Sequence, residues 1–295
     1  MFDIKRIFTA VAIGASIALP SRAFAQDAPP WSAGDTFTQQ AKLCAAQTGG
    51  ANAVKADDKI AACTWLLNSG RLDTKSIPIA YLARSFGYTA KGDTADELRD
   101  LDSAEKADPA YADAWAQSCS AHTWLGQTAQ ALRECATATR LAPASATPWT
   151  YRGDIYLRQQ DYKRAIAAYD RALALNATWM WPWDNRGAAY LRSGKIDLAI
   201  ADFTQAIKLS PDYPTAYIDR GIARLKLGAA GLALADFDLA LKVDPTSAPS
   251  LYGRGLAKIR LGDLVSGNAD VAAAKKLNSK AADLFIKDGV TAKGS

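Results

Sequence analysis

One histidine, four cysteines and a recurring set of arginines are the side chains here whose chemistry could exceed packing. His122 has no second imidazole with which to share a metal, and it could act as a general base only with a partner brought to it. Cys44, Cys63, Cys119 and Cys135 do not have zinc spacings. Arg84, Arg186, Arg220 and Arg254 each stand 16 residues before an aspartate: Asp100, Asp202, Asp236 and Asp270. There is no glycine-rich phosphate loop, no Gly-x-Ser-x-Gly elbow, and no carboxylate pair that stands apart from the rest. Neither a metal nor a cofactor is expected, and the chain does not read as an enzyme. A catalytic site in the irregular region 27–70 is the least supported alternative.

What positions these residues is a repeat. Arg-Gly occurs at Arg152-Gly153, Arg186-Gly187, Arg220-Gly221 and Arg254-Gly255, each 34 residues after the last. Alanines recur at Ala165, Ala199 and Ala233, and again at Ala172, Ala206, Ala240 and Ala274. A fixed period of this size marks a solenoid, in which a unit buries its apolar face only against its neighbours.

The stretch 180–213 shows the unit. Trp183, Gly187 and Tyr190 fall on one helical face, and Ser193-Gly194 breaks the helix. Leu198, Ala199, Phe203, Ala206 and Ile207 make a second amphipathic run, which Pro211 closes. Each unit is therefore two short antiparallel helices. Gly187 is expected to face Ala199 where the backbones approach. Trp115, Trp149, Trp183, Tyr217, Tyr169, Phe203 and Phe237 are expected to fill the space between pairs, at about 1.5–3 kcal/mol for each large side chain buried.

The order Trp183, Gly187, Tyr190, Gly194, Ala199, Phe203, Ala206, Pro211 resembles the tetratricopeptide repeat, whose length is also 34 residues. Trp115, Cys119, His122, Gly126, Ala131, Cys135, Ala138 and Pro143 fit the same phase. Tyr81, Tyr88, Gly92, Ala104 and Pro109 make a weaker unit, and the last has Gly267 for alanine and Ser279 for proline. The resemblance implies an all-α, right-handed superhelical solenoid over residues 78–281, in units 78–111, 112–145, 146–179, 180–213, 214–247 and 248–281. Residues 39–77 read as a degenerate helical cap. Residues 282–295 read as a closing helix over the last stacked face, followed by a frayed tail.

Helical hairpins constrain the cysteines and the charges. Cys119 and Cys135 lie symmetrically about Gln127, and Cys44 and Cys63 about the loop from Gly49 to Asp58, which favours Cys44–Cys63 and Cys119–Cys135 among three pairings. Cys119 and Cys135 could instead be thiols that replace small or aromatic residues in the packing. Residues 16 apart face each other within a hairpin, so the Arg–Asp sets read as structural ion pairs internal to each unit. A second basic row, Arg158, Arg192, Lys226 and Arg260, reads either as charge favouring the helix dipole or as an anion-binding stripe. His122 stands in the phase of Tyr156 and Tyr190, where a packed neutral ring is expected.

In the family that these units resemble, first helices line a concave groove that holds partner peptides. The resemblance places Tyr151, Asp154, Trp181, Asp184, Asn185, Thr215, Asp219 and Tyr252 on that groove. Trp181 has no core role left for it and reads as a binding anchor or as a cover over the turn between units. Of the family's carboxylate-clamp residues only Asn185 has a counterpart. The reading is a scaffold that binds a protein or peptide, the alternative being a binder of carbohydrate or peptidoglycan fragments that stacks sugars on these aromatics. Self-association is left open.

The first 25 residues read as an export signal: Lys5 and Arg6, an apolar run from Ile7 to Leu19, then Ala23-Phe24-Ala25 before a cleavage expected between Ala25 and Gln26. Residues 26–38 read as an extended linker. The mature chain is expected in the periplasm or outside the cell, with no membrane insertion after cleavage, where disulfides persist. Loss of Asp3, Lys5, Arg6 and Arg22 with the leader lowers the net charge from +5 to +3. That charge and that compartment both argue against a nucleic-acid partner.

Overall fold

The computed structural model describes residues 36–48 and 53–290. The expected leader, most of the expected linker, the tip of the first loop and the last five residues lie outside them. Among the described residues every regular element is a helix: α1 (Thr36–Ala45), α2 (Ala56–Asn68), α3 (Ser76–Lys91), α4 (Thr94–Ala107), α5 (Ala112–Trp124), α6 (Thr128–Leu141), α7 (Thr147–Arg158), α8 (Tyr162–Leu175), α9 (Met180–Arg192), α10 (Ile196–Leu209), α11 (Pro214–Lys226), α12 (Ala230–Val243), α13 (Ala248–Arg260), α14 (Leu264–Leu277) and α15 (Asp283–Lys287). The first helix starts at Thr36, inside the stretch read as linker. The chain forms two compact units that divide after Tyr151, within α7.

In the first unit α1 packs on α2, α3 on α4 and α5 on α6. Ala41, Cys44, Ala62, Cys63, Leu66 and Ala83 form a core around the Cys44–Cys63 disulfide. Lys59 is buried beside it and donates from Nζ to the carbonyls of Cys44 and Ala46 at 2.5 and 2.6 Å. These are carbonyls that the end of α1 leaves unmet, so a lysine on α2 caps α1 from the side. Burial lowers the Lys59 ammonium to about 8.

In the second unit α9 pairs with α10, α11 with α12 and α13 with α14, and the first helices α9, α11 and α13 also touch in succession. Each of these hairpins turns on a left-handed glycine, Gly194, Gly228 or Gly262. At the equivalent place after α7 stands Gln160, with φ 60°.

The small residues of the first helices have a different neighbour from the one expected. A Cβ on Gly187 would lie 2.7 Å from the Phe203 ring, and one on Gly221 would lie 2.8 Å from Phe237. The nearest neighbour of the glycine is thus an aromatic ring from the second helix. In the last hairpin the backbones themselves come close: a Cβ on Gly255 would lie 2.7 Å from the Gly267 carbonyl oxygen.

The tryptophans differ too. Tyr169, Phe203 and Phe237 are fully buried, but Trp115, Trp149 and Trp183 are only half-buried. Trp115 and Trp183 donate from Nε1 to Pro109 and Ala177, and the Tyr217 hydroxyl donates to Pro211, in each case six residues back. These side chains tie the turn before the first helix, which a polar-tipped aromatic can do while its body stays apolar.

Candidate functional site

The Arg–Asp sets form a framework on the hairpins. Arg84 donates to Asp100 from Nε and Nη2 at 2.8 and 2.7 Å, Arg186 to Asp202 at 2.7 and 2.9 Å, and Arg254 to Asp270 at 2.7 and 2.8 Å. Arg220 holds Asp236 at 2.7 Å through Nη2. The remaining nitrogen, Nη1, reaches the preceding hairpin: Thr64 from Arg84, Asp170 from Arg186, Thr204 from Arg220 and Asp238 from Arg254. Each arginine therefore closes its own hairpin and fastens it to the one before. The spacing revealed the first contact and not the second.

The unit around α5 and α6 replaces this device. Cys119 occupies the phase of Gly153 and Gly187, Cys135 that of Tyr169 and Phe203, and the two are joined as a disulfide. No cysteine is free among the described residues. Glu134 takes the aspartate's place and Ser118 the arginine's. His122 has a partner in this phase: its Nδ1 lies 2.8 Å from Glu134 Oε2, where Arg224 and Lys258 meet Asp236 and Asp270 in later hairpins. Glu97 and Glu105 lie nearby, and burial pushes both carboxyls up to about 7. Among the described residues no three His, Cys, Asp or Glu side chains are arranged to hold a metal.

The residues expected on the first-helix face divide among several environments. Tyr151 belongs to the first unit, where its hydroxyl accepts from Gln117 at 3.2 Å. In the second unit Asp154 and Asn185 meet: Asp154 Oδ1 accepts from Asn185 Nδ2 at 2.8 Å and from the Tyr169 hydroxyl at 2.7 Å. Burial pushes the Asp154 carboxyl up to about 6, against the pull of Tyr169, Arg158 and Asn185. Asp184 is 5% exposed, and its Oδ1 makes no hydrogen bond among the described residues. Burial first and the charge of Asp219 second raise its pKa well above the carboxylate range, with Arg192 opposing. Thr215 is half-buried at the start of α11.

Two aromatics of that set are engaged within the chain. Trp181 meets Tyr213 edge-on at the turn into α11, with ring centroids 5.0 Å apart. Tyr252 is buried under Phe285, with centroids 5.1 Å apart. The residues after α14 do not merely close the last hairpin, since their contacts run back to earlier ones. Phe285 also packs on Phe237 of α12 at 6.0 Å, and Asp288 accepts from Arg192 Nε of α9 at 2.9 Å. Of this arrangement the sequence singled out only Tyr252 and the row containing Arg192. Phe285 and Asp288 lie past the last repeat, where no period marks them.

The face thus holds a buried carboxyl oxygen with no hydrogen bond among the described residues, and a guanidinium, Arg192, met by Asp288. No helix among the described residues is long and apolar enough to cross a membrane.

No curated protein matches the sequence. The chain is similar in structure to PilF of Pseudomonas aeruginosa, with a TM-score of 0.63 and 20% identity over 70% of this chain and 94% of that one. PilW, described as a widely conserved type IV pilus biogenesis factor, gives 0.63 and 19% over 71% and 98%. YrrB, described as a tetratricopeptide-repeat protein with an unusual peptide-binding site, gives 0.51 and 18% over 63% and 95%. At such identities the likeness is one of fold. Two models of the tetratricopeptide repeat match the sequence itself, over residues 125–178 and 153–218, so this chain carries tetratricopeptide repeats.

Proposed function

We infer that this protein is a non-catalytic scaffold of the cell envelope that binds a peptide segment of a protein partner on the first-helix face of its second unit. Repeats of this family are generally interaction modules. The observation that carries the face is Asp184: a buried carboxyl with an oxygen that no group among the described residues satisfies costs stability unless something else hydrogen-bonds to it. A peptide crossing α9 and α11 would bring backbone N–H donors there. The comparison with YrrB supports peptide as the ligand class. The signal-like N-terminus and the two disulfides support export. Sugar stacking gains no support, because Trp181 and Tyr252 already have ring partners.

In-cell crosslinking followed by mass spectrometry tests the reading. The native chain is expected to give a discrete partner that the double variant Asp184→Ala, Asn185→Ala loses while remaining folded. Partner crosslinks unchanged in that variant would remove the face from the account.

A further inference from the structure

We propose that residues 281–290 are an internal ligand of the first-helix face, and that the face selects partner segments carrying an aromatic residue followed, three positions on, by a carboxylate. The proposal rests on the functional reading above and specifies its ligand.

The seating is specific at two points. Phe285 is fully buried between Phe237 and Tyr252, and Asp288 is 4% exposed with its carboxylate on Arg192 Nε. Positions i and i+3 share one side of a helical turn, so a single turn delivers the ring and the charge together. Ile286, on the other side, is 60% exposed and contributes no selectivity. Val290 is buried and donates its N–H to the Phe285 carbonyl at 2.8 Å, which folds the chain back after the turn.

The docking is built to be reversible. A helix of five residues has no stability of its own in water, so α15 is ordered by what it touches. Lys287, between Phe285 and Asp288, is exposed, and its pKa is lowered first by partial burial and then by the charges of Arg192 and Arg158, with Asp288 and Asp219 opposing. A segment with the same ring and carboxylate, but no cation between them, would seat without that repulsion. Because the tail is tethered, a partner must outcompete a ligand at high effective concentration.

The test uses the full-length chain and a fluorescein-labelled synthetic peptide spanning residues 279–290, read by fluorescence polarisation. Phe285→Ala with Asp288→Asn frees the face from its own tail, and the peptide is expected to bind that variant at least tenfold more tightly than it binds the native chain. Adding Arg192→Ala to the freed variant should weaken binding at least tenfold. A peptide carrying Lys287→Glu should bind more tightly than the unaltered one. Equal affinity for native and freed chains, or no response to Arg192→Ala, would overturn the proposal. Should the freed variant not fold, the same peptides are tested against native chain for displacement of the tail, read as faster hydrogen exchange at 283–290; no displacement by the Lys287→Glu peptide overturns it. If the partner crosslinks of the preceding section survive while the peptide fails, the internal-ligand idea falls and the binding face stands. Loss of both would remove both.

Discussion

Arg220 donates from Nη2 to Asp236 at 2.7 Å across a single hairpin, and Asp236 is 1% exposed. Arg224 meets the same carboxylate at 2.7 Å. An acid this deep depends on its cations, and removing it leaves two guanidinium groups facing each other over a void. Asp236→Ala is expected to cost about 3–5 kcal/mol, the usual size for breaking a buried pair from one side. Arg220→Met with Asp236→Leu should cost less than Asp236→Ala alone. Urea unfolding of the three chains checks both.

The Cys119–Cys135 bond stands where later hairpins set a glycine against an aromatic ring. The chain-entropy estimate for a loop of this length is about 3 kcal/mol, and Cys119→Ser with Cys135→Ser should lose most of it. Cys119→Gly with Cys135→Phe supplies the device used at Gly187 and Phe203, and is expected to recover part of the loss. Thiol titration of the oxidised native protein should find no free thiol, and four free thiols would remove both bonds.

Glu97 and Glu105 give the first unit a pH dependence. Both carboxyls are raised to about 7, chiefly by burial; the Thr89 hydroxyl and His122 oppose this at Glu97, and the Ser118 hydroxyl and His122 oppose it at Glu105, while Glu134 and Asp102 reinforce it. A raised acid keeps its proton in the folded state after the unfolded chain has lost it. These groups therefore favour folding fully below about pH 4.5, and that contribution is lost as the pH rises through about 7. Glu97→Gln should flatten the slope of Tm between pH 5 and pH 8, and an unchanged slope would show that Glu97 does not drive it.

Backbone positions give opposite results for similar changes. Gln160 holds a left-handed conformation that costs a non-glycine residue roughly 1–2 kcal/mol, so Gln160→Gly should stabilise by up to about 1 kcal/mol after glycine's own entropy cost. Gly267→Ala restores the residue the repeat calls for, yet its Cβ would lie 2.7 Å from Ile259 Cγ1 and 2.9 Å from the Gly255 carbonyl oxygen. It should destabilise by about 1–3 kcal/mol. Thermal unfolding of the two variants checks both signs.

These contrasts show what the sequence could carry. Period and helix phase made the hairpins legible, because a 34-residue spacing fixes which residues share a face. The Arg186–Asp202 offset was legible for the same reason, since both partners belong to one period. Contacts that leave the period were not legible. Arg186 reaching Asp170 requires knowing how successive hairpins lean together. Trp183 was read as core because its indole is large, although its Nε1–H has to find an acceptor and takes one at the turn. Tyr252 falls on the first-helix face by its phase, and because residues 281–290 carry no repeat, no spacing marks Phe285 as the ring that covers it.

Hydrogen–deuterium exchange on the full-length protein and its Arg192→Ala variant tests most directly whether the first-helix face holds its own tail. The account predicts that amides of residues 283–290 exchange at least tenfold faster in the variant while those of α9 to α14 keep their native rates. A uniform rise across the second unit, or no change at 283–290, would contradict it.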